Sequence, residues 1–226
     1  MSTADEPVPA GALSTTVAGE HVVMLPERAL WLPAQDTLCV ADLHWGKAAA
    51  FRAAHVPVPM GTTSRDLARL SSALEVTGAS HLVVLGDLLH ARTGRHDETF
   101  RTIAAWREAH SALRITLVRG NHDQHAGDPP ADLRIGCTDD PLPLGAFVGM
   151  HEPMGHANGY VLAGHLHPSV TVRGRGRQSL RLPCFVFGDG VGVLPAFSSF
   201  TGGGMYQQSP GDRLFGIAGD SVVPLN

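Results

Sequence analysis

Seven side chains of metal-ligand type stand at the ends of apolar runs in this chain. Asp42 and His44 follow "TLCVA", Asp87 follows "HLVVLG", Asn121 follows "RITLVRG", His151 follows "GAFVGM", and His165 and His167 follow "GYVLAG". Side chains at i and i+2 of an extended segment leave it on the same side, so the pair His165 and His167 aims two imidazoles at one place. Two histidines in a surface loop would mean little alone. Stray histidines, however, would not fall so regularly at the carboxyl ends of apolar runs, where open α/β sheets form their ligand sites. Aspartate oxygen, asparagine carbonyl and imidazole without cysteine suit Mn, Fe or Zn better than thiolate metals or the all-oxygen cages of calcium and magnesium. Seven donors are too many for one tetrahedral zinc. They suffice for two ions roughly 3.5–4 Å apart if one carboxylate bridges them.

The elements that must position these residues alternate along the first half of the chain. "HVVMLPERALWL" reads as a hairpin, and strand-like runs follow at "TLCVA", "HLVVL", "RITLV", "GAFVGM" and "GYVLAG". Leu67, Leu70 and Leu74 repeat at helical spacing and predict a helix over 63–77, with Thr62 or Thr63 as its N-cap and Gly78 as its stop; a second helix is expected over 97–113. Beyond about Leu133 the helical period fades into short strands and turns. The pattern is an α/β first half followed by a β-rich second half.

Composition narrows the classes. At 226 residues and 43% hydrophobic, the chain can fill one sizeable core, and no linker or low-complexity tract divides it, so a single domain over 1–226 is expected, with its core over about 20–203. "MSTADEPVPAGALS" has neither a basic nor an apolar targeting segment, and no apolar run approaches membrane-spanning length, so the expectation is a cytoplasmic protein without a membrane partner. Cys39, Cys137 and Cys184 are odd in number and far apart, which argues against disulfides and thiolate metal sites. A net charge of −4 excludes nucleic-acid binding by overall positive charge, so an anionic substrate must be attracted locally.

As an ordered set, DxH, GD, GNHD, H and GHxH resemble the calcineurin-like binuclear metallophosphoesterases. The resemblance implies a four-layer α/β/β/α sandwich, with Asp42, His44 and His167 on one ion, Asn121, His151 and His165 on the other, and Asp87 as the bridge. It gives His122 the role of transition-state stabiliser and general acid toward the leaving oxygen, with Asp123 orienting its ring, while water activated between the two ions attacks phosphorus. Two divalent ions against two carboxylates leave about two positive charges, enough to draw phosphate into an acidic protein.

The chain departs from the phosphoprotein phosphatase pattern GDxxDR: "GDLLHAR" puts His90 in the aspartate position. The segments "ADLHWGKAAAFRAAHVPVP", "VVLGDLLHARTGR", "LVRGNHD", "GYVLAGHLHP" and "RLPCFVFG" are similar instead to the bacterial ligase-associated DNA endonuclease subgroup. That resemblance implies manganese-dependent cutting of single-stranded DNA in repair and a functional link to an ATP-dependent DNA ligase and a helicase.

Further residues carry two readings each. Arg173, Arg175, Arg177 and Arg181 in "VRGRGRQSLR" read as solvated arginines of a glycine-bent hairpin or as contacts to a DNA backbone, and Lys47 sits close behind the first ligands as a substrate contact. Trp45 is core or a stacking platform, and His90 an orienting partner of the metal ligands or an incidental neighbour. Two rival functions remain open: a phosphodiesterase or phosphatase for small nucleotides or other phosphate esters, and a non-catalytic scaffold, which would be expected to have lost ligands or His122.

Overall fold

The computed structural model describes residues 8–59, 61–139, 141–174, 176 and 178–225. Seven strands form the first sheet: β1 (Leu13–Val17), β2 (Glu20–Leu25), β3 (Ala29–Leu32), β4 (Thr37–Val40), β5 (His81–Leu85), β6 (Arg114–Val118) and β7 (Gly136–Thr138). They lie in sequence order, antiparallel from β1 to β4 and parallel from β4 to β7. Its helices are α1 (Lys47–Ala53), α2 (Thr62–Thr77), α3 (Asp97–Ala109) and α4 (Asn121–Ala126). The second sheet holds β8 (Leu142–Leu144), β9 (Phe147–Gly149), β10 (Tyr160–Ala163), β11 (Pro168–Arg173), β12 (Ser179–Phe187), β13 (Val191–Val193), β14 (Gly204–Met205), β15 (Arg213–Ala218) and β16 (Ser221–Leu225).

Strand alternation builds two faces on the first sheet. Leu38, Val40, Leu82 and Val84 pack with Leu67, Leu70 and Leu74 of α2 and with Ile103 and Trp106 of α3. Cys39, Val83 and Leu85 point the other way, into a shared interior with Phe147, Leu162, Phe185, Phe187 and Phe215 of the second sheet. Successive side chains of a strand leave opposite faces, so a run of four or five apolar residues is what a strand buried on both sides requires.

The two central sheets and the helical layer on the first match the expected architecture. Over the outer face of the second sheet, where the four-layer pattern puts more helix, the described residues contain none: every α-helix ends before Gly127. The hairpins β8–β9, β12–β13 and β15–β16 turn within two or three residues and leave no room for crossover helices. Small clusters such as Cys184, Val186, Val193 and Leu214 fill that face. The core also reaches beyond 20–203, because β1 opens the first sheet and Phe215, Ile217 and Val222 of β15 and β16 are buried in the shared interior. Helix α3 stops at Ala109 rather than Leu113; Leu113 keeps the helical spacing but is buried from the connection to β6. The N-terminal partner of α2 is Gly61 in place of a threonine, while Gly78 ends it with a left-handed C-cap as its type requires. No helix among the described residues is long and apolar enough to cross a membrane.

Candidate metal centre

The parallel strands deliver their ligands through turns that side chains rarely adopt. Asp42 and His44 after β4, Asp87 after β5, and His165 and His167 after β10 all have positive φ, at 56°, 47°, 53°, 69° and 48°. A non-glycine residue there costs on the order of 1–3 kcal/mol, and persists only where its surroundings over-determine it. Cross-links between the turns supply that: His44 N donates to Asp87 O at 2.8 Å, Trp45 N to Leu88 O at 2.7 Å, and His165 N to Asp42 Oδ2 at 3.1 Å. Three glycines make the close approach possible. A Cβ at Gly86 would run into the His151 ring, one at Gly120 would stand 2.6 Å from Asp87 N, and one at Gly164 would stand 2.7 Å from Asp42 Oδ2. The glycine in each of GD, GNHD and GHxH is therefore a gap that a ligand fills.

All seven candidate ligands converge. Asn121 Oδ1 and His165 Nδ1 lie 2.9 and 3.0 Å from His151 Nε2, and Asp87 Oδ1 lies 3.5 Å from it. On the other side, His44 Nε2 is 3.8 Å from Asp87 Oδ2, and His167 Nε2 is 3.3 Å from Asp42 Oδ1. Donors about 2.1 Å from a common ion stand ~3.0–3.4 Å apart across octahedral or tetrahedral edges, so the spacing fits ions. Asp87 faces both groups with different oxygens, the position a bridge needs.

The partners of the ring nitrogens carry the fit further. His151 Nδ1 lies 3.1 Å from Leu85 O and His167 Nδ1 lies 3.2 Å from Gly202 O, so each ring donates there and turns the Nε2 lone pair inward. The His167 lone pair faces a carboxylate oxygen without hydrogen-bond alignment, and both nitrogens of the buried His44 lack a hydrogen-bond partner among the described residues. Acceptors crowded in this way repel unless a cation stands between them. Burial first, then the charges of Lys47 and His122, push His44 down to about 2, which keeps its ring neutral and able to ligate. Burial raises the Asp87 carboxyl, a cost that a bound cation would reverse. The residues thus fit two divalent ions.

His122 sits over this centre with its Nε2 4.0 Å from Asp87 Oδ2 and its side chain 39% exposed, within reach of a substrate. Its Nδ1 lies 2.8 Å from the carbonyl of His90, and the His90 ring stacks on it at 5.1 Å and 23°. The His90 ring, expected to orient the metal ligands, meets one of them, His44, edge-on at 5.4 Å, whereas the backbone carbonyl of His90 orients the ring of His122. Asp123, expected to orient the ring, acts on the backbone instead, and its carboxylate accepts from the amides of Leu89 at 2.9 Å, Gly120 at 3.0 Å and Leu88 at 3.3 Å. An acceptor saturated by backbone amides clamps the two ligand-bearing turns together and leaves the ring to a carbonyl. No residue type could have revealed that carbonyl, nor those of Leu85 and Gly202.

Lys47 opens α1 half-buried beside the centre, where burial lowers its ammonium and the carboxylates of Asp42 and Asp87 offset only part of that. Arg173 ends β11, five residues of extended chain beyond Pro168 and so about 16 Å from the metal-centre end of that strand. It can meet only a distant part of a substrate. Arg175 and Arg177 lie outside the described residues. Trp45 is core, 4% exposed and packed edge-on against Trp106 at 6.4 Å.

A family model described as calcineurin-like phosphoesterase matches residues 36–187. Among solved structures, Pseudomonas putida nuclease MPE is 42% identical over 95% of this chain and 100% of its own, with a TM-score of 0.84. YfcE, a phosphoesterase from E. coli, is 17% identical over 82% of this chain and 90% of its own, with a TM-score of 0.38. No curated protein matches. With the family model spanning residues 36–187 and side-chain clusters that could hold ions, the chain belongs to the calcineurin-like phosphoesterases and is a metal-dependent phosphoesterase.

Proposed function

We propose that this enzyme is a two-metal endonuclease that hydrolyses phosphodiester bonds of DNA, single-stranded DNA foremost, in DNA repair. The observation that carries the reading is the pair of donor clusters flanking Asp87 with the His122 ring above the same carboxylate. The likeness to a nuclease over nearly the whole chain supports a polynucleotide substrate. Asp42, His44 and His167 would hold one ion, Asn121, His151 and His165 the other, and Asp87 both. Manganese suits this mixed nitrogen and oxygen set, with iron and zinc as the alternatives. When bound, the ions polarise the phosphate and acidify a water to serve as nucleophile.

The chain's own residues do the rest. The carbonyls of Leu85 and Gly202 fix the ring orientation of His151 and His167. Donation from His122 Nδ1 to the His90 carbonyl leaves Nε2 as the atom from which a proton passes to the departing sugar oxygen. The stacked His90 ring stays neutral, since burial, Lys47 and His122 push it down to about 4, so it does not oppose a proton on His122. The protein would act in the cytoplasm, in functional association with an ATP-dependent DNA ligase and a helicase.

The test is to strip the metals, reload with manganese, and offer circular single-stranded, linear and duplex DNA. Conversion of the circle to linear product is expected, since only internal cutting opens it. Hydrolysis of cyclic nucleotides or dinucleotides with the circle left intact would replace this reading with a small-phosphodiester enzyme. No hydrolysis of any ester with two ions bound would leave a scaffold.

A further inference from the structure

Beside the metal centre, with His167 in its wall, lies a cavity of about 220 Å³, well above the ~10–15 Å³ that one water needs. Its walls come from parts of the chain that no motif connects: Arg28, Arg181, Ser169, Ser199, Thr201 and His167 itself. Among the described residues its lining holds two guanidiniums and no carboxylate. Arg28 Nη1 donates to the carbonyls of Ala196 and Ser198, and Arg181 donates from Nε to Ser169 Oγ and from Nη2 to Gly203 O. Among the described residues neither arginine forms an ion pair, and Arg28 Nε and Nη2 and Arg181 Nη1 have no hydrogen-bond partner. Thr201 Oγ1 is buried without a partner as well.

Two further features point to an anion. Arg28 holds a left-handed backbone, φ 67°, in the turn between β2 and β3, a place where glycine or asparagine is the ordinary choice. Strain kept at one residue of a turn whose side chain reaches a cavity is the kind that function retains. Burial first and then the neighbouring Arg69 disfavour the Arg28 charge, and the Asp66 carboxylate, which is hydrogen-bonded to Arg69 and Ser199, offsets only part of that. Planar guanidiniums with unused donors match the oxygen pairs of a phosphate.

We infer that this cavity is a subsite for a second, uncleaved phosphate of the substrate, adjacent to the one broken at the metal centre. The inference rests on the phosphodiesterase reading and deepens it: the preferred substrate carries phosphates on both sides of one sugar. His167 belongs to both sites, its Nε2 3.3 Å from Asp42 Oδ1 and the residue itself in the cavity wall, so a strand lying across it brings neighbouring phosphates to the two places.

The test uses two pairs of chromogenic nucleotides: thymidine 3′-(p-nitrophenyl phosphate) with and without a 5′-phosphate, and thymidine 5′-(p-nitrophenyl phosphate) with and without a 3′-phosphate. In one pair the bisphosphate should show a kcat/KM higher by about tenfold, as a charge-assisted hydrogen bond allows. That preference should fall to within about twofold in both Arg181→Gln and Arg28→Gln; because each arginine also holds a loop carbonyl, the melting and metal content of each variant are measured beside it. Metal-stripped protein should bind thymidine 3′,5′-bisphosphate in titration calorimetry, and Arg181→Gln should weaken that binding about fivefold. No preference in either pair, or a preference that survives both substitutions, overturns the subsite. If the preference is present and lost in the variants while circular DNA stays intact, the subsite stands and the DNA reading falls. If the circle is cut and no preference is seen, the DNA reading stands and the subsite falls.

Discussion

Replacing Gly120 by alanine tests whether the glycines of the ligand turns are spaces rather than hinges. Gly120 has φ −98° and ψ 176°, extended backbone that any residue adopts, so the change adds no strain and trims the unfolded chain's freedom by about 0.4–1 kcal/mol in favour of folding. The contacts oppose this. The new Cβ would stand 2.6 Å from Asp87 N and 3.0 Å from His151 Cε1, and would crowd Asp87 Oδ1, where carbon contacts normally lie at ~3.5 Å or more. Asp87 N belongs to a left-handed turn tied to its neighbours, so no rotamer change relieves the clash. Overpacking of this kind costs about 1–3 kcal/mol; with backbone as the obstacle, a net loss of about 2 kcal/mol is expected, lowering Tm by about 4–8 °C. Calorimetric melts of metal-stripped wild type and Gly120→Ala measure the steric part alone. Metal titration then shows whether the displaced Asp87 and His151 cost the second ion about 10- to 100-fold in affinity. Gly155, with nothing within 4 Å of an added Cβ, is the comparison and should accept alanine without loss. A Gly120→Ala protein that melts within about 1 °C of wild type and binds both ions normally would refute the packing argument.

Asp87→Ala should lose more metal than any terminal ligand variant, because both donor groups face its carboxylate; retention of two ions per chain with near-normal hydrolysis would sink the bridging assignment. His122→Ala should keep both metals and lose about 10²- to 10⁴-fold on DNA, whose sugar alkoxide needs a proton, but much less on bis(p-nitrophenyl) phosphate; equal losses would leave His122 only as a stabiliser of phosphoryl charge. His81, far from the metals, accepts from Arg114 Nη2 at 2.8 Å and is held to about 4 by burial and then by Arg114. Its folded value is depressed below the unfolded one, so the unfolded chain takes the proton first as pH falls. Stability from this group should be complete above pH ~6.5 and drain away toward pH ~4; denaturant melts of wild type and His81→Gln across that range should converge at the acid end, and parallel curves would contradict it.

Much of the centre was legible along the chain. Strands β4, β5 and β6 announce themselves as apolar runs bounded by turn residues, and a residue at the end of a parallel strand has only one side of the sheet to occupy, so Asp42, Asp87 and Asn121 could be placed before any contact was known. The periodicity of Leu67, Leu70 and Leu74 likewise marks the face of α2 that the first sheet covers. Other features have no local signature. β15 and β16 follow no motif and one contains Pro224, and only the pairing of β15 with β12, and of β16 with β15, makes them part of the core. Asp123 carries the motif's acidic residue, yet three amides from two separate turns decide what it binds. The Arg28–Arg181 cavity joins a hairpin turn, a strand and a distant loop, as the ring-holding carbonyls of Leu85, His90 and Gly202 join distant segments. Residue type and spacing specify which donors a chain can offer and which strand end presents them. Which backbone carbonyl faces a ring nitrogen, and which arginine is left without an acid, depend on long-range approach, which only the packing of the two sheets sets.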